Sequence, residues 1–301
     1  MGKVRNASNT LRTGRIGENT WYVRDGEQIV RQRLNNSNYG EGARRTEVQQ
    51  QRRAKWGNLV NFFKVIAEFE RSAFETKDRG VTDYNMFMKM NANTSPVYLT
   101  KQQVESGSSV VAPYVISRGS LSSVTLEQEQ DGQEHNLLSF LTNIEIGSVD
   151  FETGTIATIS TSIINYNDSW QNGDNLGCMV LWMDLSNPDN PRSYYAYKEF
   201  TLDTTDTRTP AQAGVDFLSN SGSVVRFSPD VLHIGDNYSS VACIHTRKEN
   251  GLKTSNQSIV TIAAGPQSPG QPITAYTSDA AKTAAVNSYG VDGEVIIAPN
   301  L

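Results

Sequence analysis

The sequence predicts an α+β protein that is mainly β, and three observations lead to that prediction. Ser, Thr, Asn and Gln are abundant, and short apolar runs alternate with polar turns, which is typical of β-rich structure with long loops. Residues 1–80 hold 16 Lys and Arg against 9 Asp and Glu, a net charge of +7, whereas the remainder carries −12. One long helical pattern follows a hairpin pattern. We therefore expect an N-terminal basic arm and β-hairpin, one long α-helix, and then a β-sandwich- or barrel-like body.

Residues 1–45 are predicted to form the basic arm and the hairpin. The first 18 residues are polar and contain too few apolar side chains to pack a core, so an extended arm is expected. Within residues 21–31, Asp25 and Gly26 form the two-residue loop that is typical of a type I′ turn between short strands. Because an isolated hairpin is only marginally stable in water, this one is expected to join a sheet of its own chain or of a neighbouring copy.

Residues 46–80 are predicted to contain the long helix. Thr46 and Gln49 have the spacing of a capping box, and the helix is expected to run to about Lys77. Its first half is polar and basic, whereas residues 56–74 are apolar on most faces. A helix that is apolar nearly all round needs partners on several sides. We therefore expect one side to pack on the β body and another to pack on a neighbouring subunit.

Residues 81–263 are predicted to form the β-rich body, and residues 264–301 a Pro-, Gly- and Ala-rich extension with a terminal strand. Residues 176–185 are almost continuously apolar, which predicts a strand at the centre of a sheet. Many short strands with polar turns favour a sandwich or a barrel. The predicted strands are 97–99, 110–117, 121–126, 156–164, 176–185, 194–200, 223–227, 240–247, 258–263 and 294–298. The predicted short helices are 136–142, 210–219 and 279–286.

The sequence lacks the signatures of common catalytic and nucleotide-binding sites. No Gly-x-Ser-x-Gly, Gly-x-x-x-x-Gly-Lys, His-Glu-x-x-His or Rossmann glycine pattern is present. Cys178 and Cys243 lie in apolar runs, and we expect two reduced core thiols. Cys243 and His245 are expected on one face of a strand, but no third partner for a catalytic pair is indicated. We therefore expect a protein that is not an enzyme, with no catalytic residues, no cofactor and no metal.

The arginines of the first 80 residues supply most of the candidate interaction residues. Arginine neutralises DNA phosphates, and it also binds protein carboxylates in a bidentate manner. The acidic remainder of a second copy would supply such carboxylates, so a protein interface is favoured over DNA contact, with plain solvated charge as the third interpretation. The candidates in the arm and hairpin are Arg5, Arg12, Arg15, Trp21, Arg24, Arg31 and Arg33. The candidates in the helix are Arg45, Arg52, Trp56, Phe63 and Phe69.

Targeting and membrane segments are not indicated. The chain begins Met-Gly-Lys-Val-Arg-Asn with no apolar run after it, so no secretory signal is expected. No stretch reaches the roughly 18 apolar residues of a membrane span. We therefore expect synthesis in a cytoplasm and no membrane partner.

Several motifs of residues 14–125 resemble a known family. They are residues 14–17 (GRIG), 22–31 (YVRDGEQIVR), 46–56 (TEVQQQRRAKW), 84–87 (YNMF) with Asn91, 96–101 (PVYLTK) and 110–121 (VVAPYVISRGSL). The family is an uncharacterised one from Bacteroidetes genomes and their phages, crAss-like phages included. The β-rich remainder matches it only loosely, and residues 34–45 lack its usual proline-containing turn. The resemblance implies a virion structural protein of the neck or tail of a crAss-like phage.

The expected function is therefore that of a non-enzymatic bacteriophage structural protein in viral assembly. We expect a homo-oligomeric ring in the head–tail connector (collar or neck) or the tail, located in the virion after synthesis in the bacterial host. Its expected partners are further copies of itself and other virion proteins, such as the portal or neighbouring ring and tail proteins. Two alternatives stay open: a capsid-decorating or fibre-base protein, and a DNA-binding protein that uses the basic arm.

Overall fold

The structure is a computed structural model that describes residues 2–4, 13–16, 19–24, 27–32, 46–69, 73–78, 80–129, 139–232, 238–261 and 274–290. Over these residues the chain is α+β and mainly β, which confirms the predicted fold class. The hairpin, the helix and the β body follow one another in the predicted order. The described part of the chain contains sheets but no closed barrel.

The N-terminal strands form a sheet of their own. Strands β1–β4 span Gly2–Val4, Gly14–Ile16, Asn19–Arg24 and Glu27–Gln32. They lie in the order β1-β4-β3-β2, and every pair is antiparallel. Arg24 pairs with Glu27, so two residues connect β3 to β4 as predicted, although the turn itself lies outside the described residues. The hairpin therefore joins a sheet built from its own N-terminal residues.

Helix α1 spans Glu47–Ile66 and begins where the sequence predicts. The Thr46 hydroxyl accepts a hydrogen bond from the Gln49 amide at 3.4 Å, which satisfies one of the unpaired N–H groups of the first turn. The predicted end near Lys77 is wrong, because the helix stops at Ala67.

The residues that follow α1 are not helical and pack into the body. Ala73 and Phe74 are buried, and Phe74 forms a parallel β-bridge with Arg118. The Glu75 amide donates to the Arg118 carbonyl at 3.0 Å. Tertiary packing thus overrides the helical preference of this segment.

The body contains eleven strands and five further helices within the described residues. Strands β5–β15 span Val115–Ser117, Leu126–Glu129, Ser139–Glu145, Asn175–Asp184, Arg192–Thr201, Leu218–Ser221, Val224–Phe227, Tyr238–Lys248, Leu252–Thr254, Gln257–Ser258 and Val260–Thr261. Helices α2–α6 span Asp83–Asn91, Lys101–Glu105, Ile156–Tyr166, Thr274–Thr277 and Asp279–Ser288. A 3-10 turn covers Pro229–Val231.

The largest sheet of the body has the order β13-β12-β8-β9, with β15 also paired to β12. A second sheet has the order β10-β11-β7-β6, and β14 pairs with β5. Along β8, Cys178 and Val180 belong to the hydrophobic cluster that includes α4 and the second sheet. Met179 and Leu181 belong to the other cluster, which includes α1 and α2. Strand β8 is therefore covered on both faces, which explains its continuous apolar sequence.

The predicted strands at 176–185, 194–200, 223–227 and 240–247 and the predicted helix at 279–286 are confirmed. The predicted strand at 156–164 is wrong, since these residues form α4. Thr155 caps that helix by accepting from the Thr158 amide at 3.3 Å, and Ile156, Ile159 and Ile163 are its buried apolar face. This spacing of three and four is helical, and the β-branched residues obscured it in the sequence.

Other element predictions were also wrong or only partly right. Residues 210–219 form turns that lead into β10, and residues 139–142 belong to β7, so neither predicted helix is present there. Residues 97–99 are irregular, and 110–117 and 121–126 contribute only short strands at their ends. The predicted strand at 258–263 is divided between β14 and β15 as far as it is described, and the one at 294–298 lies outside the described residues.

Candidate functional site

One face of the first half of α1 is an exposed stripe. Val48, Arg52 and Trp56 follow one another at intervals of four residues, so they lie on the same side of the helix. Val48 is 57% exposed and Trp56 is 47% exposed, and both are among the most exposed large apolar side chains described. Arg53 is exposed beside them. We call Val48, Arg52, Arg53 and Trp56 the α1 stripe.

The opposite face of α1 is fixed tightly to the body. Asn58 is fully buried; its amide nitrogen donates to the Val110 carbonyl at 2.9 Å and to the Tyr114 hydroxyl at 2.7 Å, and its oxygen accepts from the Val110 amide at 2.8 Å. Asn61 donates to two further carbonyls, those of Val104 and Ser108. The helix therefore holds the α1 stripe in one orientation.

A glycine allows α1 to approach the body this closely. A Cβ atom at Gly57 would lie within 2.2 Å of the Val104 side chain. Real Cβ contacts do not reach that distance, so any larger residue would push the helix away from α3.

The predicted helix residues divide into exposed and core positions. Arg52 and Trp56 lie in the α1 stripe, whereas Arg45 lies outside the described residues. Phe63 packs on Tyr84 with ring centroids 5.2 Å apart, and Phe69 packs edge-on against Tyr197 at 5.1 Å. Both rings pack against the chain's own hydrophobic cluster, so they lie on the side of this stretch that was expected to face the β body.

The predicted arm and hairpin residues are described only in part. Arg5, Arg12 and Arg33 lie outside the described residues, and Arg15 and Arg24 lie in β2 and β3.

Two hairpin side chains are described. Arg31 is exposed on β4, and Trp21 is partly buried in β3 with its indole N–H unpaired. No described residue of this N-terminal sheet belongs to either hydrophobic cluster of the body. The described hairpin residues thus lie together in one four-stranded sheet.

The outer edge of β9 is a second candidate surface. The Ser193 amide points away from β8 and donates to the Ser109 hydroxyl at 2.8 Å. Because backbone groups alternate along a strand, those of Tyr195, Tyr197 and Glu199 point the same way. Within the described ranges they have no hydrogen-bond partner at this edge.

A cavity of about 650 Å³ lies over one face of this sheet, where residues of β8, β9, β12 and β13 and the segment after α1 line it. Its lining includes aromatic side chains and charged groups of both signs: Phe69, Tyr195, Tyr197, Glu68, Glu199, Arg247 and Lys248. The Tyr197 hydroxyl donates to Glu199 at 2.6 Å, and burial together with that carboxylate raises the pKa of Tyr197. The phenol is thus a hydrogen-bond donor at neutral pH.

Sequence reasoning missed a buried ionic network at the end of the central sheet. Asp174 accepts from His245 Nε2 at 2.9 Å and from Arg247 Nε and Nη2 at 2.6 and 2.7 Å, and the His245 ring stacks on Trp170 with centroids 3.8 Å apart. Burial alone would raise the pKa of Asp174, but the hydrogen bonds from Arg247 and His245 lower it. His245 therefore pairs with Asp174, a partner that the sequence did not indicate, whereas the described side-chain contact of Cys243 is with Cys178.

This network has the features of a structural site. Both Asp174 and His245 are fully buried, and no nucleophile is placed beside them by a described hydrogen bond. Among the described residues, no group of three or more His, Cys, Asp and Glu could hold a metal ion. The described helices include none with the length and apolar character needed to cross a membrane.

No family model, curated protein or solved structure matches this chain. The resemblance to the Bacteroidetes and crAss-like phage family therefore stays a prediction.

Proposed function

We propose that the chain is a non-enzymatic phage structural protein that assembles into a homo-oligomeric ring of the head–tail connector or tail. The α1 stripe is the observation that carries this proposal. It presents two large apolar side chains and two arginines on a helix whose other face is anchored by buried asparagines. Aromatic and arginine residues are the types enriched at the energetic centres of protein interfaces.

The open edge of β9 supplies the complementary surface in this proposal. An unpaired edge strand accepts a further strand from another chain. Residues 81–301, which include β9, carry a net charge of −12 and would attract the first 80 residues of a neighbouring copy, which carry +7. One copy would thus contribute the basic N-terminal region and the next copy the edge of β9, a head-to-tail contact that forms a ring when the rotation between copies closes.

The test is the mass of the purified full-length chain by light scattering at micromolar concentration, with and without substitutions in the α1 stripe. We expect an oligomer whose mass falls towards that of one chain in Val48→Ser/Trp56→Ser. Val231→Ser is the matched control, because Val231 is an exposed apolar residue outside α1. A monomeric wild-type chain, or a double variant that assembles like the control, would refute the proposal.

DNA binding through the basic region is the second candidate function. Arg52 and Arg53 are exposed, and no described carboxylate forms an ion pair with them. If they contact phosphates, the affinity for duplex DNA will fall steeply with salt, and Arg52→Gln/Arg53→Gln will reduce the slope of that dependence by about 2. Absence of binding at low salt excludes this candidate.

A further inference from the structure

The two cysteines lie directly opposite each other on adjacent strands of the central sheet. Cys178 on β8 is paired with Cys243 on β12, and their Sγ atoms are 3.1 Å apart as free thiols. Both are buried in the cluster that lies between the sheet and α4. They are also the only two cysteines of the chain.

The register shows that this pair occupies the closer of the two kinds of position in an antiparallel ladder. His245 uses its backbone groups on the side away from β8: its amide donates to Ser255 Oγ and its carbonyl accepts from the Ser255 amide. Cys243 precedes it by two residues, so its backbone groups also point away from β8. Cys178 and Cys243 therefore form a non-hydrogen-bonded pair, whose Cα atoms are typically about 4.5 Å apart. That separation lies within the range that a disulfide spans.

We propose that Cys178 and Cys243 are a covalent modification site, at which a low-molecular-weight disulfide oxidises the two thiols to one cross-strand disulfide. One cysteine sulfur attacks the small disulfide, which releases one small thiol and leaves a mixed disulfide. The second cysteine attacks the protein sulfur of that mixed disulfide and releases the second small thiol. The pair loses two protons and two electrons, and the small disulfide gains them.

Burial determines when this reaction occurs. It raises the pKa of the Cys178 thiol, and the neighbouring Cys243 raises it further, so little thiolate exists in the closed sheet. Oxidation therefore needs a transient opening between β8 and β12. The thiols stay reduced in a reducing compartment, and the bond forms slowly once the folded chain meets an oxidising one.

The bond would join the two strands that both hydrophobic clusters share. It closes a long loop, because the two residues are 65 positions apart in the sequence. A loop of that length restricts the unfolded chain strongly, and we expect the melting temperature to rise by about 5–10 °C.

The experiment uses the full-length chain, purified reduced and then incubated with hydroxyethyl disulfide under native conditions and in mild urea. Intact mass spectrometry is expected to show the loss of two hydrogen atoms, faster in urea, and a digest is expected to contain one linked peptide pair. Two titratable thiols after both incubations, or links formed only between chains, would overturn the proposal. This outcome is independent of whether the chain forms a ring.

Thermal unfolding tests the consequence of the bond. The oxidised wild-type chain is expected to melt above the reduced chain, and Cys178→Ser is expected to melt at one temperature with or without the oxidant. An oxidised wild-type chain that melts no higher than its reduced form would contradict a stabilising cross-link. Because the wild-type comparison needs no substitution, a variant that fails to fold does not affect the result.

Discussion

Replacing Asp174 with Asn is expected to destabilise the fold more than any change of a surface carboxylate. The carboxylate is fully buried and accepts four hydrogen bonds, from His245, from the Gln171 amide and twice from Arg247. The Arg247 side chain is only 15% exposed, so its charge is less well hydrated than that of a surface arginine when its partner is removed. Asn keeps the shape but removes the negative charge and turns one acceptor into a donor that faces other donors.

The expected loss follows from the burial of the pair. Removing one partner of a buried ion pair typically costs about 3–5 kcal/mol, because the other charge stays in a poorly solvated place. Asp216 provides the matched control, since it pairs with Lys198 at 2.7 Å but is 53% exposed. Asp216→Asn should cost less than about 1 kcal/mol, as exposed ion pairs do.

Urea unfolding followed by tryptophan fluorescence measures both variants. Trp170, one of the four tryptophans of the chain, stacks on His245, so part of the emission reports on the network. Asp174→Asn should move the unfolding midpoint far below that of the wild type, with Asp216→Asn close to the wild type. Equal midpoints for the two variants would refute the reasoning that burial makes the Asp174 ion pair more important for stability than an exposed ion pair.

Three further predictions concern Asp174, Gly119 and Asn58. The pKa of Asp174 is lowered in the folded state, so this carboxylate contributes fully to stability above the unfolded pKa of about 4, and the contribution is lost as the pH falls through the folded pKa. Urea unfolding from pH 7 to pH 3 should therefore show a fall in the free energy of unfolding that is smaller in Asp174→Asn. An equal fall in the wild type and the variant would contradict this. Gly119→Ala should lower the melting temperature by several degrees, because its Cβ would lie 2.1 Å from the Thr254 carbonyl oxygen, and an unchanged melting temperature would show that the chain relaxes there. Asn58→Ala should lower the free energy of unfolding in urea by about 2–3 kcal/mol, because it leaves buried polar partners unsatisfied. The control Gln51→Ala, at a partly exposed position of the same helix, should change it by less than about 0.5 kcal/mol. Similar values for both variants would contradict the conclusion that Asn58 fixes α1 to the body.

Local signals explain which parts of the fold were predictable. Thr46 marks the start of α1, and the two-residue loop after Arg24 defines the hairpin. Both features could be predicted because a helix cap and a tight turn depend only on residues that are close in the sequence. The continuous apolar run of β8 likewise indicates its central place. The end of α1 was not predictable, because Phe74 forms a β-bridge with Arg118, a residue that is distant in the sequence.

The candidate surface was predictable only in part for the same reason. Trp56 and Phe63 both belong to an apolar helical stretch, and nothing local distinguishes the exposed ring from the packed one. The distinction comes from Tyr84, which covers Phe63. The network of Asp174 and His245 was hidden because it depends on strand register, which brings together residues 71 positions apart.

Electron microscopy of the purified full-length protein tests the central proposal most directly. The proposal predicts closed rings of equal subunits, in which the α1 stripe and the open edge of β9 lie at the contacts between neighbours. Single particles of one chain at micromolar concentration, or assemblies that leave the α1 stripe facing solvent, would contradict it.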